Sequence, residues 1–391
     1  MDCYLCSEPL TPQNDSGEHI IPNSIGGIRE IKGFICRACN GKAGETWDTD
    51  LAKQLNKLAL FFRVVRDRGE NRAEVIETTA GEKLIYDKNS LKFFAPEIKK
   101  EVKEDGVHFQ ISANDMKQAR EIVTGLKRTY PTLDVEKTLA TATAQPKYPE
   151  GYFHFEFSFG GLSVGKSFVK TALALLSANG INPKICERAN AYIFNDGEPC
   201  FGHYYHHDLL INRPVGVPVH CICVKGNKAA RTVQAYLEYF GIARIVISLS
   251  ADYEGNDFKH SYAIDPTKGQ EFSVDFDLNF DESEIRKIYE YQFYDSQVAL
   301  DCLHAVLPNE IQRQQEQHLE EVLANSREAM ERRFAGSDHV DPDEFIEAYV
   351  ESLTPYIHHL AKARLILPSP SGHPVKRYTA RGEPWQDQHP R

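Results

Sequence analysis

The stretch EHIIPNSIGG, Glu18 to Gly27, decides how the N-terminal part of the chain is read. It sets a carboxylate beside an imidazole, then a proline, then two glycines. An imidazole in an apolar strand is most often a satisfied core residue, so the flanks decide. Gly26 and Gly27 permit a tight turn between two short strands. Upstream lies Cys3-x-x-Cys6 and downstream Cys36-x-x-Cys39. Two such knuckles supply four soft thiolates for tetrahedral Zn²⁺. A segment this small and loop-rich has little apolar surface to bury, so a metal staple makes physical sense. The opening MDCYLCSEPL lacks a secretory pattern, so the pairs read as metal ligands ahead of disulfides. The alternative is a zinc ribbon whose only task is to fold.

Asn40 directly follows the last of these cysteines, with Gly41 and Gly44 beyond it. Trp47, Leu51, Leu55, Leu58, Phe62 and Val65 then recur at helical spacing and predict a core-facing stripe. Lys53, Lys57, Arg63 and Arg66 fall largely off that stripe, toward solvent or a phosphate backbone. The order is strand, turn, strand, knuckle, helix, and such a ββα arrangement can bring His19 against Asn40. Asp48 and Asp50 read as favouring the helix N-terminus, with support of a metal as the other option.

The pattern C-x-x-C, EHIIPNSIGG, CRACNGKAG resembles the HNH endonucleases with a four-cysteine zinc site, the ββα-metal nucleases. It is most similar to the subgroup with Glu-His-Ile-x-Pro, then Gly-Gly, then Cys-x-x-Cys-Asn. The resemblance covers about residues 1–60. It implies that His19 is the general base that takes a proton from water. It implies that Asn40 and Glu18 hold one divalent cation, Mg²⁺ or Mn²⁺, distinct from the structural Zn²⁺ on Cys3, Cys6, Cys36 and Cys39. Hard oxygen ligands suit such a cation. Ile31 and Lys32 stand where the family often carries an Asn, and Asn23 is the candidate substitute brace. Adjacent residues of an ideal strand face opposite ways, so Glu18 and His19 converge only if the strand twists or ends there.

Beyond the first helix, AEVIETT, EKLIYD, LKFFAP and VHFQISA read as strands. A helix over about 115–128 is opened by Ser112-x-x-Asp115 as a capping box. The segment YPTLDVEKTLATATAQPKYPEG reads as a linker or long crossover. From residue 151, YFHFEFSF, VPVHCICVKG, ARIVISLSA and HSYAIDP read as strands and SFVKTALALLSANG as a helix. Further helices are expected at about 281–306, 309–335 and 342–363. The domain reading is 1–70 nuclease, 71–145 small connecting segment, 146–280 mixed sensor or recognition module, 281–365 acidic helices, and 366–391 disordered tail.

GGLSVGKS, Gly160 to Ser167, fits the phosphate-loop pattern and makes Gly165, Lys166 and Ser167 candidates for a nucleotide triphosphate. Two bulky residues in its interior and the half-polar strand before it favour a turn into a packed helix instead. Cys200, His203, His206, His207 and Asp208 gather in CFGHYYHHDLL without a recognised metal spacing. Cys186, Cys200, Cys221, Cys223 and Cys302 read as buried thiols.

The net charge of −11 argues against indiscriminate coating of nucleic acid. Residues 29–72, however, carry ten Lys/Arg and six Asp/Glu, a local +4, whereas 275–355 carry six and twenty, a local −14. A polyanion would dock on the basic end. No apolar run is long enough to span a membrane, and a cytoplasmic location is expected. The expectation is an α+β chain: a zinc-stapled HNH nuclease domain acting on DNA, followed by a larger mixed α+β module with C-terminal helices. That module would sense a small nucleotide or other activating ligand, and a homodimer would suit double-strand cleavage. Restriction or antiphage defence is the corresponding role. The rivals are a silent zinc-binding scaffold and a phosphate-loop NTPase fused to a zinc domain.

Overall fold

The computed structural model describes residues 1–87, 90–104, 106–143, 147–153, 159–195, 197–336 and 339–365. The chain is a mixed α+β protein. In order, β1 (Glu18–His19), β2 (Glu30–Ile31), α1 (Arg37–Ala43) and α2 (Thr49–Phe61) come first. Then follow β3 (Glu74–Glu77), β4 (Lys83–Tyr86), β5 (Leu91–Phe93), β6 (Glu97–Lys103), β7 (Gly106–Ser112), α3 (Met116–Thr129) and α4 (Val135–Leu139). After them come α5 (Leu162–Ala178), α6 (Glu187–Asn195), β8 (Phe201–His203), β9 (His220–Asn227), β10 (Thr232–Tyr239) and β11 (Ala243–Ser250). The chain continues with β12 (Phe258–Asp265), β13 (Gln270–Phe272), α7 (Glu282–Tyr289), α8 (Ser296–Arg333) and α9 (Pro342–Leu365).

Two compact units result: one holds 1–72 with the described part of 156–313, the other 73–155 and 314–372 as far as described. The first unit is built on a six-stranded antiparallel sheet of order β13-β12-β9-β10-β11-β8. Its central strands are buried on both faces, and alternation sorts their side chains between two layers. Ile222, Val224, Ala235, Leu237, Ile245 and Ile247 face the layer of α5, in one core with Phe168, Ala172, Leu173 and Leu176. Cys221, Cys223, Tyr236 and Val246 face the other way, under Phe276, Phe280, Ile285 and Ile288.

The nuclease-like segment is part of the α5 core. Leu51, Leu55, Leu58 and Phe62, each at most 1% exposed, join that cluster. Phe62 stacks on Phe240 with ring centroids 5.3 Å apart. On the other side of the segment, the Tyr4 hydroxyl donates to Asn190 Oδ1 of α6 at 2.7 Å. Residues 1–72 and the sheet module therefore share one core, although the chain passes into the second unit between them. The basis is simple: α2 has an apolar face that two short strands and a zinc loop cannot cover.

Several local expectations change. The stripe ends earlier than expected: α2 stops at Phe61, Arg63 adopts a left-handed conformation (φ 48°), and Val65 is exposed. The cap of α3 is Asp115, whose carboxylate accepts from Gln118 N at 2.8 Å; Ser112 belongs to β7. Pro308, expected to separate two helices, lies inside α8, and the break falls between α7 and α8 instead. Strand β10 went unrecognised because Gln234 and Glu238 interrupt its apolar alternation, yet both are buried and hydrogen-bonded. The β6 strand was hidden by its charge. In the second unit, β3-β4-β5 form a three-stranded sheet and β6-β7 a hairpin. The expected strand over 152–159 and the tail 366–391 lie mostly or wholly outside the described residues.

One buried imidazole ties the EHIIPNSIGG loop to the sheet. His220 Nε2 donates to the Ile25 carbonyl at 2.7 Å, and its Nδ1 accepts from the Phe240 amide at 2.9 Å. This pairing requires the neutral ring. Burial pushes its pKa down to about 3, against the Ile25 carbonyl and the Asp265 charge. The unfolded chain takes up this proton below about pH 6.5 and the folded chain does not. Stability from this group is therefore full above pH 6.5 and is lost at about 1.4 kcal/mol per pH unit as the pH falls toward the folded value. Urea midpoints should drop between pH 6.5 and 4.5 in the wild type and drop less in a His220→Gln variant.

Candidate active site and metal centres

The sulfur atoms of Cys3, Cys6, Cys36 and Cys39 lie within 4.8 Å of one another. A tetrahedral ion with Zn–S bonds of about 2.3 Å spaces its sulfurs about 3.8 Å apart. Cys6 Sγ and Cys36 Sγ are 3.7 Å apart, and the Cys36 amide donates to Cys3 Sγ at 3.2 Å. Burial raises the Cys3 thiol pKa, but backbone N–H groups outweigh it and bring it to about 7. Burial and the neighbouring thiols push Cys39 far up. Four thiolates can coexist here only around a cation, and the donor set fits Zn²⁺.

Between the knuckles, β1 pairs antiparallel with β2, matching Glu18 to Ile31 and His19 to Glu30. The two glycines do different jobs. Gly26 has φ 97°, a conformation that favours glycine. At Gly27 an added Cβ would stand 1.7 Å from the Ile21 carbonyl oxygen. Asn23 accepts from the Asp67 amide and donates to the Arg68 carbonyl, both at 3.0 Å. It braces the loop after α2.

The helix following the last knuckle is continuous, with a π turn over Gly44–Asp48 joining α1 to α2. Asn40, Gly44, Asp48 and Ala52 occupy one wall of an open cleft of about 240 Å³. They recur every fourth residue, a spacing that drifts about 40° per step on a pure α-helix. The wider π turn takes back part of that drift, which keeps Asn40 and Asp48 on the same side. Glu18, His19, Pro22, Asn23, Ser24, Thr49 and Arg66 complete the lining.

Glu18 and His19 face different ways, as strand alternation demands, yet both border this cleft because β1 is only two residues long. Glu18 is 4% exposed and meets Lys170 Nζ of α5 through Oε1 at 2.5 Å. Burial raises its pKa and the Lys170 charge opposes that rise. His19 Nε2 lies 3.7 Å from carboxylate oxygens of both Glu30 and Asp67, too far for a direct hydrogen bond. It is buried with no hydrogen-bond partner. Burial lowers its pKa, with Glu30 opposing and Arg68 assisting, so the ring is neutral near pH 7. Asn40 Nδ2 donates to Ser16 Oγ at 2.7 Å. The hard oxygens of Glu18, Asn40 and Asp48 along one cleft fit an oxygen-seeking divalent cation.

Of the four basic candidates, Arg66 reaches the cleft and has a buried Nε without a partner. Lys53 instead pairs with Asp50 at 3.2 Å, and Lys57 and Arg63 are half-buried outside the lining. The GGLSVGKS segment is not a phosphate loop. The α5 helix begins at Leu162, so Gly165, Lys166 and Ser167 lie within it and do not form a loop. A Cβ on Gly165 would meet Phe201 and Tyr192 within 2.6 Å, so the glycine serves packing. Ser167 bonds Asp48, and the Lys166 ammonium stands over Trp47. In CFGHYYHHDLL, Tyr204 bonds His207 and Asp208 pairs with Arg213. Among the described residues, the groups of three or more His, Cys, Asp or Glu whose ligand atoms lie within 4.8 Å of one another are the four cysteines and His19 with Glu30 and Asp67. Glu30 was legible in principle as the cross-strand partner of His19; Asp67 left no local signal.

Residues 3–56 match the family model of HNH endonucleases. That match places an HNH domain at the N-terminus of this α+β chain, over the segment that holds the four cysteines, Glu18, His19 and Asn40. No curated protein and no solved structure matches the chain. No helix among the described residues is long and apolar enough to cross a membrane.

Two outcomes test this construction. Metal analysis should find one zinc per chain in the wild type and none in Cys36→Ser/Cys39→Ser, with faster proteolysis within residues 1–45 in that variant. Gly27→Ala should destabilise the protein by about 1–3 kcal/mol or more, because backbone must move to admit the methyl; urea denaturation measures this.

Proposed function

We propose that the protein is a metal-dependent DNA endonuclease. The observation that carries this reading is a buried, unpartnered Nε2 of a neutral His19 on the same cleft as Glu18 and Asn40, inside the segment matched to HNH endonucleases. His19 Nε2 takes the proton of a water whose oxygen attacks phosphorus, and the 3′-oxygen leaves. Glu18 and Asn40 would hold Mg²⁺ or Mn²⁺, which when bound neutralises charge on the phosphate and the departing oxygen. Arg66 offers its free Nε to a phosphate oxygen. The basic surplus of residues 29–72 draws the polyanion to this end.

The remainder of the chain is read as a controlling module, with a small nucleotide or similar ligand as the activating signal and restriction or antiphage defence as the role. Support comes from the shared core: α5 packs on the sheet and also holds Glu18 and Asp48, so a displacement of the sheet would be felt at the cleft. A homodimer would supply the second cut of a duplex.

Nicking of supercoiled plasmid with Mg²⁺ or Mn²⁺ tests the reading. His19→Ala should slow it by about 10²–10⁴-fold; equal rates for wild type and variant would end the assignment. Arg66→Ala should weaken DNA binding at every sequence and lower the salt slope by about one, as read by fluorescence anisotropy at several salt concentrations.

A further inference from the structure

Behind the cleft stands a charged group that the matched segment does not supply. Lys170 on α5 is 2% exposed, and its Nζ lies 2.5 Å from Glu18 Oε1 and 2.5 Å from Asp48 Oδ2. Ser167, one turn earlier on the same helix, donates to Asp48 Oδ1 at 2.6 Å. Glu18 and Asp48 line the cleft, whereas Lys170 does not. The ammonium thus sits behind both carboxylates: it engages one oxygen of Glu18, while both oxygens of Asp48 are held from α5, Oδ2 by Lys170 and Oδ1 by Ser167.

This placement has two physical consequences. An ammonium held by two carboxylates leaves the trio with one net negative charge, where the carboxylates alone would carry two. It also fixes Glu18 through Oε1, which leaves Oε2 for the cleft. A pair of carboxylates without an internal counter-charge would attract divalent cations more strongly and could accommodate a second one.

We propose that Lys170 is a positioning residue that serves as a built-in counter-ion, limiting the Glu18–Asp48 pair to one divalent cation and aiming Glu18 at it. Ser167 is its accessory, holding Asp48 in the rotamer that meets the ammonium. Of the residues that imitate a phosphate loop in the sequence, Ser167 thereby acts on a carboxylate of the cleft. This inference rests on the reading of Glu18 as a metal ligand.

The test uses the full-length, zinc-loaded protein and Mn²⁺ alone as probe. Free Mn²⁺ is measured by electron paramagnetic resonance, and thermal unfolding is followed with and without Mn²⁺. Lys170→Met should bind Mn²⁺ at least about tenfold more tightly than wild type, and Mn²⁺ should raise its Tm more than that of wild type. Its plasmid nicking should nonetheless fall, because Glu18 is no longer aimed. Asp48→Asn keeps an oxygen for Ser167 and leaves Lys170 paired one to one with Glu18; its Mn²⁺ affinity should drop at least about tenfold. Should Lys170→Met fail to fold, Asp48→Asn decides. Affinities within twofold of wild type, or a wild type that binds no Mn²⁺ at millimolar concentration, overturn the proposal. If both shifts occur but the wild type does not nick DNA, the nuclease reading fails and the counter-ion stands. If the wild type nicks DNA and neither substitution moves Mn²⁺ binding, the reverse holds.

Discussion

Glu18 can be a buried carboxylate only because Lys170 meets it. An ionised carboxylate withdrawn from water is costly unless a charge and hydrogen bonds replace the solvent. Here the replacement arrives from α5, far along the chain, and it is itself satisfied by Asp48 from the helix after the second knuckle. The geometry of the cleft is therefore a joint property of the HNH segment and the sheet module. Burial argues against charge on Lys170, but Asp48 and Glu18 outweigh it and hold its pKa above the ordinary lysine value. The lysine is the shared member: its removal would leave Glu18 buried without a counter-charge, whereas removal of either carboxylate leaves the other still paired with it.

The same dependence recurs in the packing. A segment as short as residues 3–56 buries too small a share of its surface to be rigid alone. Two devices compensate. Four sulfurs fit an ion that closes the loops at one end. At the other, the apolar face of α2 is completed by α5 and by Phe240 in the turn after β10. His220 adds a directed contact by donating to the Ile25 carbonyl in the turn that precedes Gly26. The loop bearing Pro22 and Asn23 is held from both sides, which keeps the wall of the cleft in one arrangement.

What the sequence disclosed follows from how local each signal is. Cys3-x-x-Cys6, Cys36-x-x-Cys39, Glu18-His19 and Asn40 announce themselves by spacing, and the structure brings the cysteines together and puts the other three on one cleft. The stripe of α2 was legible to Phe62, because periodicity records burial, and failed at Val65, where the helix had ended. Lys170 was not legible. On α5 it is one of several polar residues, with Ser163, Lys166, Ser167, Thr171 and Ser177, and nothing in its neighbours says which carboxylates will face it. The phosphate-loop pattern misled for the complementary reason. Its glycine is required by Phe201 and Tyr192, residues that meet Gly165 only after the chain has folded.

Under the proposed reading, the uneven distribution of charge lets an acidic protein keep a basic segment for a polyanion. The Lys/Arg surplus of residues 29–72 is confined to the segment around the cleft, while the acidic surplus of 275–355 lies on other elements. Within the cleft Arg66 has an unpartnered buried Nε, whereas the Arg68 guanidinium is already engaged by Glu30 and Asp67. A polyanion entering there would find one cationic group available and would compete with carboxylates for another. Releasing Arg68 would in turn leave Glu30 and Asp67 facing His19 at 3.7 Å without their counter-charge, which favours a proton on the imidazole. Under the proposed reading, proton acceptance by His19 and any contact of a phosphate with Arg68 would be linked through the same two carboxylates.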